Sequence, residues 1–259
     1  MSATSDEVVP TGTGPVLVLL HGGGPGVDAA SNWAAVRSRL SAGFRCLAPD
    51  LLGFGTQITG QGTAGLRGPG GWARARARQI LALLDRHHLE RVHLVGNSAA
   101  GGAAALALMA TAPERIGRAV VMGGAGTGPL PRAVPFYDEP TKESMRATLA
   151  RLVADEGVHG ELLDDLAGLR LEQALRSGAE SAFRSMFADG PPNVDPAGIG
   201  TPVLVLHGER DRVSPVEVSE RLAATLPRGR LEVVAGAGHW IHVDRPAEFC
   251  RLAGEFLSA

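Results

Sequence analysis

The chain has 259 residues, 44% hydrophobic and 20% charged, with a formal net charge of −2, a length and balance that suit one large α/β domain with a well-buried core. That balance supports neither a nucleic-acid surface nor a membrane-bound one: Lys142 is the only lysine among many arginines, residues 1–14 lack the regions of a secretory signal, and no window approaches the roughly 18 uninterrupted apolar residues of a span. Two cysteines, Cys46 and Cys250, give no disulfide framework, so a reduced, cytoplasmic setting is expected.

In chain order, short β-like runs alternate with helical stretches, the pattern of a parallel sheet covered on both faces. The first run, 16–20, ends in His21-Gly22-Gly23-Gly24-Pro25-Gly26. A helix over 30–41 and a strand over 45–49 follow. Residues 55–71 hold seven glycines and are expected to form a flexible loop beside the pocket mouth. A helix over 72–88 and a strand over 92–96 lead into Gly96-Asn97-Ser98-Ala99-Ala100-Gly101, after which 98–112 is Ala-rich and helical. A strand over 118–123 is followed by about eighty residues without strand character, in which 141–153, 160–177 and 180–188 have helical spacing. The chain then returns to strands at 203–207 and 231–235, with helices over 214–226 and 246–257. The division expected is therefore a core of residues 1–123 and 200–259, with 124–199 inserted as a helical cap that excludes water and shapes the pocket.

The segment around Ser98 is a strand, a sharp turn and a helix with serine at the apex. Such a turn holds the hydroxyl above the sheet, with the next amide and the helix N-terminus placed to stabilise negative charge. Asp211 follows 113 residues later and His239 a further 28 residues on. Ser, then Asp, then His is the α/β-hydrolase order, and the glycine loop after the first strand resembles an oxyanion loop of the HGGG type. On this reading Ser98 is the nucleophile, His239 the general base and Asp211 its orienter, while the amides of Gly23 and Ala99 supply the oxyanion hole. Asp50 at a strand end is expected to make a turn or cap. Glu209 is the lesser candidate for the acid. His93, His159, His207 and His242 are scattered in sequence, His87-His88 closes a helix, and none of them has metal-ligand spacing, so neither a metal nor a cofactor is expected. Arg74, Arg76 and Arg78 alternate with alanine and fan around their helix.

Beyond these generic elements, the chain resembles the carbon–carbon hydrolases that cleave meta-ring-fission products of aromatic degradation. The resemblance runs from about residue 15 to the C-terminus. It is carried by His21 to Gly26 with Ser31-Asn32-Trp33, by Leu94-Val95-Gly96-Asn97-Ser98, by Asp211-Arg212-Val213, by Gly238-His239-Trp240 and by Arg170-Leu171-Glu172-Gln173-Ala174. It implies an α/β-hydrolase fold, a small-molecule substrate that is a vinylogous 1,5-diketone acid, no cofactor, and a tendency to homo-oligomers. Arg170 would pair with the substrate carboxylate, and Asn32, Asn97 and Trp240 would bind the dienol end. Each has a plainer reading: an ion-pair face with Glu172 and Arg176 for Arg170, a helix cap for Asn32, packing for Trp240. An esterase, thioesterase or lactonase is the alternative within enzymes, and a non-catalytic ligand-binding protein on the same scaffold is the alternative outside them. Two departures from the family pattern stand out. Alanine at 100 replaces a glycine, where a methyl costs about 1–3 kcal/mol unless Gly101, Gly102 and Ala103 provide room. Only fifteen residues precede Val16, where the fold usually has a hairpin, so either the sheet lacks its first two strands or the annotated start is internal to a longer reading frame. The strand at 45–49 is then expected at an exposed sheet edge.

Overall fold

Runs such as Val16–Leu20 are apolar at every position because both faces of the strand are buried, which is the signature of a central parallel strand. In the computed structural model, which describes residues 11–58, 63–127 and 136–259, six strands pair. They are β1 (Val16–Leu20), β2 (Arg45–Leu47), β3 (Val92–Asn97), β4 (Ile116–Met122), β5 (Val203–Gly208) and β6 (Gly229–Val234), all parallel, in the order β2-β1-β3-β4-β5-β6. Successive side chains leave opposite faces. Val16, Val18 and Leu20 join one core layer, with Trp72, Ile80 and Leu106, and Leu17 and Leu19 join the other, with Trp33, Phe249 and Leu257.

The helices are α1 (Ala29–Trp33), α2 (Arg37–Leu40), α3 (Gly68–Arg86), α4 (Ala103–Thr111), α5 (Lys142–Ala150), α6 (Gly160–Ala174), α7 (Ala179–Met186), α8 (Val216–Thr225), α9 (Ile241–Asp244) and α10 (Pro246–Ser258). Between β4 and β5 the chain leaves the sheet for α5, α6 and α7; α5 and α6 build a third cluster on Met145, Leu149 and Leu163, with Phe136 and closed by Trp240, while Ala182 and Met186 of α7 join the first core layer. Residues 1–10, residues 59–62 of the glycine-rich stretch and 128–135 of the 124–199 segment lie outside the described residues.

Three elements differ from the sequence reading for identifiable reasons. The helix expected over 30–41 is broken into α1 and α2. His242 Nε2 donates to the Asn32 carbonyl at 2.9 Å, the acceptor a continuous helix would give to Val36, whose amide bonds Trp33 O instead. The strand expected over 45–49 stops at Leu47, ahead of Ala48-Pro49, since proline has no N–H for a ladder. β2 is an edge strand as expected, and a short antiparallel bridge from Thr11 to Cys46 covers part of that edge. The helix after the glycine-rich stretch begins at Gly68, earlier than expected, because the Gly70 amide is held by Pro191 O at 3.0 Å.

The order of strands fixes where a site can form. The chain runs from β1 to β2 in one direction and resumes at β3 on the other side of β1, so the loops after β1 and β3 diverge and open a crevice. Leu20 is in register with Gly96, which sets the His21–Gly26 loop directly against the turn that carries Ser98.

Candidate active site

Ser98 stands at the end of β3 with φ of 54°, in the left-handed region, a conformation that costs a non-glycine residue about 1–3 kcal/mol. The five residues Ser98–Gly102 form a π-helical turn before α4 begins. That wider turn settles where the methyl of Ala100 goes. A Cβ built on Gly101 would lie 2.0 Å from the Leu20 carbonyl, so the tight contact between helix and strand falls on Gly101. Ala100 turns its methyl toward the glycine loop, where a Cβ on Gly23 would meet it at 3.1 Å. The room that the alanine needs is thus supplied by Gly23 and by the turn.

His239 Nε2 lies 2.8 Å from Ser98 Oγ and its Nδ1 lies 2.7 Å from Asp211 Oδ2. The other carboxylate oxygen of Asp211 accepts the amides of Val213 at 2.7 Å and Ser214 at 2.9 Å. Burial by itself would raise the Asp211 carboxyl, but the His239 hydrogen bond and charge together with those two amides outweigh it and hold the group below the usual aspartate range. Glu209, the lesser candidate, points away and accepts the Gly236 amide. Asp50 behaves as a turn residue, taking the amides of Ala29 and Thr56.

The glycine loop is held rigid by His21. Its Nδ1–H donates to Gly22 O at 2.8 Å, while Nε2 accepts the Leu51 amide at 2.9 Å. Burial pushes its pKa down to about 4, so the ring is neutral and serves as a fixed clamp. The Gly23 amide has no hydrogen-bond partner among the described residues, and the Ala99 amide belongs to a first helical turn, whose amides have no acceptor within the helix. Gly23 and Ala99 also line a common cavity.

A cavity of about 430 Å³ opens over Ser98 and His239, walled by Val27, Met145, Leu149 and Leu152 and edged by Asn32, Arg170 and Trp240. Arg170 is 2% exposed, faces inward from α6, and leaves its Nε and Nη2 without partners. Its guanidinium sits 4.9 Å from the centre of the Trp240 ring, and burial lowers its pKa to about 10. The ion-pair reading of Arg170 is therefore replaced by a buried, open-handed cation, and Trp240 both packs and carries it. Asn32 does not cap its helix; Asp28 does, through the Ser31 amide at 2.7 Å. Asn32 Oδ1 accepts from Gly22 N and from Asn97 Nδ2, each at 3.2 Å, and its own Nδ2 is buried without a partner. Asn97, expected at the dienol end of the substrate, is buried behind Asn32, does not line the cavity, and donates from Nδ2 to Asn32 Oδ1.

Sequence reasoning passed over three groups. His242 and His207, scattered in sequence, converge on the site: His242 sits under the Asn32 carbonyl, and His207 lies 3.7 Å from Asp211 Oδ2 while donating from Nε2 to Ser214 O. Asp244, 3% exposed at its side chain, accepts the amides of Gly238 at 2.7 Å and Ala154 at 3.0 Å and pairs with His159 at 2.9 Å, joining the loop of His239 to the chain between α5 and α6. An aspartate five residues after His239 was the available signal. The described residues contain no group of three or more His, Cys, Asp or Glu able to hold a metal ion, and none of their helices is long and apolar enough to cross a membrane.

The Alpha/beta hydrolase family matches residues 17–252. The chain belongs to this family. Among the relatives of this alpha/beta hydrolase, the 2-hydroxy-6-oxo-2,4-heptadienoate hydrolase of Pseudomonas putida is 37% identical, the match covering 96% of this chain and 91% of the relative. A 2-hydroxy-6-oxononadienedioate/2-hydroxy-6-oxononatrienedioate hydrolase of Paraburkholderia xenovorans is 32% identical over 93% of this chain and 86% of its own. Among solved structures, a meta-cleavage product hydrolase from Pseudomonas fluorescens IP01 superposes with a TM-score of 0.83 at 31% identity, covering 96% of this chain and 92% of its own.

Proposed function

We propose that this alpha/beta hydrolase cleaves a carbon–carbon bond in a vinylogous 1,5-diketone acid, with Ser98, His239 and Asp211 as its catalytic residues. One observation carries the reading beyond a generic serine hydrolase. A buried guanidinium, Arg170, faces the same cavity as Ser98 and has no carboxylate paired with it among the described residues. A simple ester offers such a group nothing, whereas an acid supplies the missing charge.

The substrate carboxylate meets Arg170, and the free amide N–H of Asn32 takes the enol oxygen. Once the dienol has become a ketone, His239 removes the Ser98 proton and the oxygen attacks the distal carbonyl. The amides of Gly23 and Ala99 receive the developing oxyanion, a contribution of about 3 kcal/mol each. The carbon–carbon bond then breaks, its electron pair enters the conjugated dienolate held by Asn32, and His239 returns the proton to that fragment. Water, activated by His239, releases the acid from Ser98 and restores the hydroxyl. Asp211 holds the imidazole in one tautomer and balances its charge throughout. Residues 124–199 serve as the cap in this scheme, supported by the positions of Met145, Leu149 and Arg170 in the cavity wall.

The relatives named above act on a heptadienoate and on a nonadienedioate, which differ beyond the distal carbonyl, so they leave the acyl end of this chain's substrate open. The test is the loss of visible absorbance of 2-hydroxy-6-oxohepta-2,4-dienoate, with Ser98→Ala alongside and a short aryl ester as comparator. Turnover that falls roughly 10⁵-fold in Ser98→Ala is expected. Turnover of the ester alone would replace the proposal with the esterase reading.

A further inference from the structure

A second buried guanidinium lies across Gly23 from the first. Arg76, on α3, is 3% exposed and lines a cavity of about 360 Å³ with Gly23, Ala99, Trp72, Met186 and Phe187. Gly23 also borders the cavity that holds Ser98 and Arg170, so the glycine loop is a wall of both spaces.

The surroundings of Arg76 do not match its charge. Its Nε donates to Leu52 O at 3.1 Å and its Nη2 reaches the Met186 thioether at 3.1 Å, a weak acceptor. The guanidinium is otherwise flanked by the Phe54 and Trp72 rings, each 5.0 Å from centroid to Cζ. No carboxylate among the described residues pairs with it, and most of its N–H donors are left over. Burial lowers its pKa to about 9, with no opposing charge to restore it. Its place in the sequence makes the choice of arginine more pointed. Trp72, Arg76, Ile80 and Leu83 fall at helical spacing on the core-facing stripe of α3, where a leucine would fill the space without the penalty of burying a charge.

We infer that Arg76 forms an anion-recognising subsite for the acyl end of the substrate, so that the acid this enzyme handles carries a second carboxylate beyond the carbonyl that Ser98 attacks. This rests on the reaction proposed above. One guanidinium would hold each end of the substrate, the apolar walls of Met186, Phe187 and Trp72 would take the methylenes between, and the acid released from Ser98 would be a dicarboxylic acid. Hydrolysis balances as before: water adds across the broken carbon–carbon bond, and the distal carboxylate takes no part in the chemistry.

The test compares kcat/KM for two dienoates that differ only beyond the distal carbonyl, 2-hydroxy-6-oxohepta-2,4-dienoate and 2-hydroxy-6-oxonona-2,4-dienedioate. The native enzyme should favour the diacid by about tenfold or more. Arg76→Met should lower that preference about 30-fold, mainly through KM, and Arg76→Lys should recover part of it. An unchanged ratio in Arg76→Met, or a native preference for the methyl ketone, overturns the inference. Inhibition of ester or dienoate turnover in the native enzyme needs no variant: succinate should inhibit at about tenfold lower concentration than butyrate, and equal inhibition overturns the inference as well. If neither dienoate is turned over, the carbon–carbon chemistry has failed, and an equal thermal shift of the native protein by succinate and butyrate then decides against Arg76 separately.

Discussion

The two halves of the cavity over Ser98 are built on opposite principles. The side chains of Ser98, His239 and Asp211 are joined to one another and to the Val213 and Ser214 amides at 2.7–2.9 Å. Around Arg170 and Asn32 the buried donors are left open: Nε and Nη2 of the arginine and Nδ2 of the asparagine have none. The first half is finished before substrate arrives, and so it needs no reorganisation during the reaction. The second half is incomplete at a cost in folding free energy, and that cost is recovered only by a ligand that supplies the missing acceptors.

Breaking the finished half should have the larger effect. Asp211→Asn leaves the shape intact but frees the tautomer of His239, and kcat should fall roughly 10⁴-fold with little change in KM. A loss under tenfold in steady-state assays would mean that the His239–Asp211 contact does not organise the base. Arg170→Met acts on the unfinished half and should move two observables in opposite directions. kcat/KM for the dienoate should drop about 100-fold while the melting temperature rises by a few degrees, because an uncompensated buried charge has gone. A melting temperature that falls would show that the arginine is satisfied in the resting protein. Asp244→Ala cuts the tie between the loop of His239 and the segment between α5 and α6, and should reduce stability by about 3 kcal/mol in urea unfolding. Loss confined to activity, with unfolding unchanged, would break that account.

The smallest effect is a slope in pH. His21 and His242 are buried with pKa values lowered by desolvation to about 4 and about 3, against an ordinary 6.5. The unfolded chain therefore takes up protons below pH 6.5 that the folded protein refuses until much lower pH. Stability should be full above that value and fall by about 1.4 kcal/mol per pH unit for each histidine as pH drops toward 4. Asp211, held below its usual range, loses its own contribution lower still, as pH passes through its folded value. Equal unfolding free energies at pH 7 and pH 5 would contradict both assignments.

Much of the frame was legible because the residues that make it speak locally. Apolar runs such as Val203–Gly208 declare buried parallel strands, and the order Ser98, Asp211, His239 is readable whatever lies between. What escaped was set by contacts far apart in the chain. The break after α1 depends on His242, more than 200 residues away, which no window around Trp33 contains. Arg76 was hidden by its neighbours, since alternation with Arg74 and Arg78 suggests a solvated fan. Spacing from Trp72 and Ile80 carried the better signal, and it places only the middle arginine on the inward stripe. Arg170 remained undecided at the sequence level because ion-pair faces and ligand-binding faces use the same residue types.

The π-helical turn after Ser98 gives the elbow a different length of chain from one closed by an ordinary α turn. An i to i+5 loop stores one more residue than an i to i+4 loop without lengthening the helix beyond it. Set beside an elbow without that residue, this chain would align with a gap between Ser98 and Gly101, and the alanine at 100 would be an insertion, not a replacement. Deleting either Ala99 or Ala100 would then be the conservative edit, one that shortens the turn and keeps Gly101 under the Leu20 carbonyl, whereas Ala100→Gly would leave the extra residue in place.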